Sequence, residues 1–235
     1  VDRDGLMDIL TANYWANDVS IRFGQGDMEF GDPVTVDVGP RPVAMAWGDF
    51  TGDGEPDLAV ANELEGDVSV ISIGSDGSFG EERRFVVRRL RPVNGLFATD
   101  LNGDGWLDLV ATSRGGAIVW QGAVHVLMST GEGDFEPSRK WTMSETVTGA
   151  AVADFDGDGI PDVAASCEDV DQLRIAYGDG DGTFGAAERY AAGETVAGFD
   201  IADLDGDGIL DIVTANAGNP GGSDGISILR GHGDG

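Results

Sequence analysis

Asp154-Phe155-Asp156-Gly157-Asp158-Gly159-Ile160-Pro161-Asp162 decides the fold, because the same nine-residue pattern recurs along the chain. Copies run from Asp49 to Asp57, from Asp100 to Asp108 and from Asp203 to Asp211, with first aspartates 51, 54 and 49 residues apart. The chain also opens inside a fifth copy, Val1-Asp2-Arg3-Asp4-Gly5-Leu6-Met7-Asp8. Acidic residues fall at loop positions 1, 5 and 9 and, except for Thr51 and Asn102, at position 3, and glycine always falls at position 6. Glycine there lets the backbone curl without a Cβ clash, so that the carboxylates can converge.

Converged carboxylates are unstable alone: two such charges about 4 Å apart repel by about 4 kcal/mol at an effective dielectric of about 20. A hard divalent cation reverses that sign. Several carboxylates plus a backbone carbonyl at position 7 suit calcium, which accepts about 6 to 8 oxygens in flexible geometry. Magnesium retains its waters, and no His or Cys accompanies the loops to suit zinc. An EF-hand needs Glu at position 12, where this chain has Val60, Ala111, Ala165 and Thr214.

Short apolar segments flank each loop, such as Ala150 to Ala153 before it and Leu58 to Ala61 after it. They are too short for helices and read as buried strands. A third strand follows, as in Val68 to Ile73 and Leu173 to Tyr177, then a Gly/Asp turn ending in Phe79 or Phe184, then a more polar fourth strand, as in Glu81 to Val87. Four antiparallel strands per fifty-residue unit predict an all-β chain, a β-propeller built of four-stranded blades. The expected division of this single domain is 1–39 (partial), 40–90, 91–143, 144–193 and 194–235 (partial).

The loop between first and second strands, together with the Gly180-Asp181-Gly182-Thr183-Phe184 type of turn, resembles the FG-GAP/VCBS repeat family, which supplies the blades of integrin α-subunit propellers and of many bacterial surface proteins. The resemblance covers essentially the whole chain. It implies calcium ligands, about one structural ion per blade, at Asp2, Asp4, Leu6 and Asp8; at Asp49, Thr51, Asp53, Glu55 and Asp57; and at Asp100, Asn102, Asp104, Trp106 and Asp108. The last two loops would use Asp154, Asp156, Asp158, Ile160 and Asp162, and Asp203, Asp205, Asp207, Ile209 and Asp211. Position 7 (Leu6, Glu55, Trp106, Ile160, Ile209) would contribute its carbonyl. Thr51 replaces a carboxylate in the second loop, and the first loop lacks its position-1 aspartate.

With 43 acidic against 14 basic residues the net charge is −29, which argues against nucleic acid or an anionic membrane surface as partner. One cysteine, Cys167, excludes an internal disulfide framework and reads as a small buried residue. No apolar run spans a membrane, so direct insertion is not expected. Loops tuned to millimolar calcium point to a secreted or cell-surface protein. The chain starts mid-motif and reads as part of a longer polypeptide or assembly.

Recognition is expected opposite the acidic loops, on the face shared by the connections between second and third strands and those between blades, where the loops vary in length. Tyr14, Trp15 and Trp120 are candidates to stack on a glycan or anchor a protein partner, against the plainer alternative that they pack their loops. Arg83, Arg84, Arg88, Arg89 and Arg91 form a basic cluster, read chiefly as a charged outer strand that discourages edge pairing. His125 and His232 have no recognisable nucleophile partner, so a non-catalytic recognition module is expected. A propeller domain of a carbohydrate-active enzyme, of polysaccharide lyase or sugar dehydratase type, is the alternative.

Overall fold

The computed structural model describes all residues except 3, 75–76, 88–92, 116–121, 143–145, 168–171, 194, 219–224 and 234–235, and the side chain of Asn94. The described residues form strands and turns and include no helix, hence none long and apolar enough to cross a membrane.

The first repeat holds β1 (Ile9–Asn13), β2 (Asp18–Arg22), a small hairpin of β3 (Gly24–Gly26) and β4 (Glu29–Phe30), and β5 (Val34–Asp37). The second holds β6 (Pro42–Gly48), β7 (Asp57–Asn62), β8 (Asp67–Ile71) and β9 (Arg83–Val86). In the third are β10 (Val93–Thr99), β11 (Asp108–Ser113), β12 (Ala123–Leu127), the hairpin β13 (Ser129–Gly131) and β14 (Asp134–Phe135), and β15 (Arg139–Thr142). The fourth holds β16 (Val147–Ala153), β17 (Asp162–Cys167), β18 (Gln172–Ala176) and β19 (Glu188–Ala191); the last holds β20 (Val196–Ala202), β21 (Asp211–Asn216) and β22 (Gly225–Leu229).

Each repeat forms one antiparallel meander. The orders are β6-β7-β8-β9, β10-β11-β12-β15 and β16-β17-β18-β19, with three-stranded β1-β2-β5 and β20-β21-β22 in the first and last repeats. Register is set by the loops: Gly48 faces Asp57, Ala153 faces Asp162 and Ala202 faces Asp211, so the acidic loop closes the first hairpin of each sheet.

Burial explains the composition of the strands. β7, β8, β11, β12 and β17 are buried along their whole length, as near-continuous apolar strands covered on both faces should be. The outer strands β9, β15 and β19 are mostly exposed, and each turns one half-buried aromatic inward: Phe85, Trp141 and Tyr190.

The chain divides into two compact units, residues 1–98, 106–111 and 127–138, and residues 99–105, 112–126 and 139–235. In the first, one core gathers Phe50, Ala59, Val68, Leu96, Leu109 and Leu127, and another gathers Val19, Ile21, Leu58 and Ile71. The core of the second is built on Phe155, Ala164, Leu173, Ile175 and Ile212. Cys167 is buried at the end of β17.

Candidate metal centre

The acidic loops hold themselves open with backbone hydrogen bonds. In the loop before β17, Gly157 N–H donates to Asp154 Oδ1 at 2.7 Å and Gly159 N–H to Asp154 Oδ2 at 2.9 Å. Both bonds recur at Asp49 with Gly52 and Gly54, at Asp100 with Gly103 and Gly105, and at Asp203 with Gly206 and Gly208. The position-6 glycine makes this possible with φ of 83° at Gly54 and 87° at Gly159, a region costly to residues with a Cβ. Position 5 braces position 7 in turn: Ile160 N–H donates to Asp158 Oδ1 at 2.7 Å and Ile209 N–H to Asp207 Oδ1 at 2.9 Å.

The position-9 aspartate works differently. Asp162 is fully buried; its Oδ2 accepts Phe155 N–H at 2.7 Å and its Oδ1 accepts Gly178 N–H at 2.8 Å, just beyond β18. Asp211 does the same with Leu204 and Gly231, and Asp57 with Phe50 and Ile73. Asp8 accepts Gly24 N–H at 2.8 Å and Asp108 accepts Ser129 N–H at 2.7 Å. This residue therefore ties the acidic loop to the far end of the third strand of its repeat. Glycine beyond β18 is required for closeness: a Cβ on Gly178 would lie 2.5 Å from the Pro161 carbonyl and 2.8 Å from Ile160 Cγ2.

Two loops gather three carboxylates with ligand atoms all within 4.8 Å, Asp154 with Asp156 and Asp162, and Asp203 with Asp205 and Asp211. Among the described residues these are the groups of three or more able to hold a metal ion. Asp158 and Asp207 are loop-bracing rather than gathered, and the first and second loops, including Asp2, Asp4, Asp49 and Asp53, do not reach this spacing. Asp100, Asn102 and Asp104 lie in the second unit and Asp108 in the first; Asn102 Nδ2 donates to Asp104 Oδ2 at 2.9 Å.

The charge at the gathered loops fits a divalent cation. Burial, with further repulsion from Asp156 and Asp154, pushes the Asp162 carboxyl up against the pull of its two backbone donors. Burial likewise pushes Asp57 up. A cation supplies the missing positive charge, and an all-oxygen donor set is the kind calcium accepts. In the last loop Arg230 Nη1 already donates to Asp205 Oδ2 at 2.6 Å, so a cation there competes with a guanidinium.

Loop position 7 has a second role. Trp106 packs over Gly131, Ile160 over Gly178 and Gly180, and Ile209 over Gly233, so its side chain roofs the turn after the third strand. The sequence pattern marked this position only for its carbonyl.

The remaining candidates separate clearly. Tyr14 is half-buried and Trp15 is 80% exposed; Trp120 lies outside the described residues, as do Arg88, Arg89 and Arg91. Arg83 donates to the Glu132 carbonyl at 2.7 Å and pairs with Asp134, and Arg84 pairs with Asp67, so these two cations are engaged. His125 is buried in β12 with Ser113 Oγ 3.3 Å from its Nε2, where no substrate reaches it. His232 lines an apolar recess of about 100 Å³ with Tyr177 and Tyr190, whose hydroxyls are 2.8 Å apart.

A family model described as an FG-GAP-like repeat matches residues 1–60, 49–111, 100–165 and 154–214. No curated protein sequence matches the chain. Solved structures share its fold. An Agrocybe aegerita lectin described as recognising non-reducing terminal N-acetylglucosamine aligns over all of this chain and 65% of its own at 20% identity and TM-score 0.64. The V. cholerae biofilm matrix protein Bap1 aligns over 97% of this chain and 34% of its own at 23% identity and TM-score 0.55. A Lactobacillus plantarum protein aligns over 97% of this chain and 69% of its own at 15% identity and TM-score 0.63. The chain thus spans about two thirds of the lectin and a third of the matrix protein.

Proposed function

The chain belongs to the FG-GAP-like repeat family, and we propose that it is a calcium-stabilised β-propeller recognition module, non-catalytic, that binds an extracellular glycan or protein ligand. One contrast carries the reading. The connections that bear the acidic loops, 49–56, 100–107, 154–161 and 203–210, are all eight residues long, whereas those at the opposite end of the same strands, 14–17, 63–66, 114–122, 168–171 and 217–224, run to four, four, nine, four and eight. A fixed end suits a repeated structural ion and a varied end suits recognition.

Calcium would be held by Asp154, Asp156 and Asp162 and by Asp203, Asp205 and Asp211, with the position-7 carbonyls of Ile160 and Ile209. Sites of the affinity seen in extracellular modules, about 10⁻⁴ to 10⁻³ M, would fill at millimolar calcium and empty in cytosol, which supports a secreted or surface-exposed setting. The shared fold of a lectin and a biofilm matrix protein supports the same reading. The test is a glycan array and an extracellular protein array probed in millimolar calcium and in chelator, with a polysaccharide turnover assay beside them. Calcium-dependent binding without turnover is expected; turnover would make the chain an enzyme domain, and silence on both arrays would remove the recognition reading.

A further inference from the structure

At the varied end of the first unit three segments meet: the 14–17 turn, the 38–41 connection between β5 and β6, and the 63–66 turn. Each turn is pinned from within by an asparagine. Asn13 Nδ2 donates to Asp18 Oδ1 and Ser20 Oγ at 2.6 Å, and Asn62 Nδ2 to Asp67 Oδ1 at 3.0 Å and Ser69 Oγ at 2.7 Å. The next residues, Tyr14 and Glu63, occupy the same place in successive repeats, and Tyr14 Oη donates to Glu63 Oε2 at 2.5 Å.

Arg41 sits between the two turns. Its N–H donates to Asn17 Oδ1 at 3.0 Å and its carbonyl accepts Glu63 N–H at 2.8 Å. It holds this place with φ of 60°, a left-handed conformation unfavourable for a residue with a side chain. The guanidinium carbon then stands 5.6 Å from the ring centroids of both Tyr14 and Trp15, which pack edge to face with centroids 4.8 Å apart. Trp15 is nevertheless 80% exposed. An aromatic retained for packing buries its area; this indole offers it to solvent, beside a fixed cation and a fixed carboxylate.

We propose that Trp15, Tyr14, Arg41 and Glu63 form a saccharide subsite for a neutral hexopyranose residue, a reading that rests on the recognition function above. The C–H face of a pyranose is apolar and matches the open indole. Glu63 keeps acceptor capacity beyond the Tyr14 bond, and the guanidinium carries five donors. A donor beside an acceptor matches vicinal hydroxyls, each of which gives and takes a hydrogen bond. An anionic sugar would bring its charge toward Glu63 in a chain of net charge −29.

The probes are methyl glycosides of glucose, galactose, mannose and N-acetylglucosamine, with methyl glucuronide as charged comparator, offered to the whole chain in calcium buffer. Binding is read by saturation-transfer NMR and tryptophan fluorescence. At least one neutral glycoside should receive saturation on its ring C–H face and bind more tightly than the glucuronide. Trp15→Ala should weaken it tenfold or more and Glu63→Gln threefold or more, with melting temperatures unchanged. Arg41→Gly should weaken binding while raising the melting temperature, because glycine relieves the left-handed backbone; a merely structural Arg41 would not couple the two. Glycoside binding that survives Trp15→Ala, or a glucuronide preference, overturns the subsite and leaves the recognition reading standing. Failure of all glycosides, with a protein-array partner lost in Trp15→Ala, makes this a protein-docking surface. Failure of glycosides and of both arrays overturns subsite and recognition together.

Discussion

Asp162 Oδ1 accepts the N–H of Gly178 at 2.8 Å, a bond that joins an acidic loop to the end of a strand 16 residues away. The position-9 carboxylate is therefore part of the repeat's own framework as well as a candidate ligand. Asp162→Ala should destabilise the chain by about 2 to 4 kcal/mol with or without calcium, because it strands the buried N–H of Phe155 and that of Gly178. Asp156→Ala should lower stability only when calcium is present. Denaturant titrations in calcium and in chelator check both; equal costs for the two variants in chelator would refute the division of labour.

Calcium should raise the melting temperature more than magnesium at equal millimolar concentration, since the gathered ligand atoms are all carboxylate oxygens. Melts in calcium, magnesium and chelator decide this. Identical curves in all three would exclude a structural calcium.

Gly178→Ala should cost about 1 to 3 kcal/mol, since the new methyl would collide with the Pro161 carbonyl and Ile160 Cγ2. The check is a shift in denaturant midpoint at unchanged slope. No shift would mean that the loop and the turn separate easily.

His125 gives a pH signature remote from the acidic loops. Burial, and secondarily the charge of Lys140, pushes its pKa down to about 4 from 6.5. Protonation then favours the unfolded chain. The stability this histidine permits is fully present above pH 6.5 and is lost as pH falls toward 4, reaching about 3 kcal/mol. Between pH 7 and 4.5, with chelator present throughout, His125→Gln should lose less stability than the parent chain. Parallel pH profiles would show that His125 has the same pKa in the folded and unfolded chain.

The period of about fifty residues and the apolar runs around each loop were enough to place the strands, because inner strands buried on both faces have little choice of residue. Strand ends were read within one to three residues, as with Leu58 to Ala61 inside β7 (Asp57–Asn62). The two small hairpins within the Gly/Asp turns were missed, since two- and three-residue strands leave no periodicity. Asp162 and Asp156 look alike in the sequence, and only burial separates the fully buried framework carboxylate from its half-buried neighbour. Arg41 gave no signal at all: in Gly39-Pro40-Arg41-Pro42 it reads as connector, and its place is set by Asn17 and Glu63, each more than twenty residues away.

Asn13 and Asn62 anchor their turns by bonds that point into the sheet, so the residues at the tips, Tyr14 to Ala16 and Glu63 to Glu65, bear little of the folding burden. A tip can therefore change its side chains without endangering the repeat beneath it. Duplicated repeats of this design can acquire different ligands one substitution at a time, each tested by selection for what it binds rather than for whether it folds.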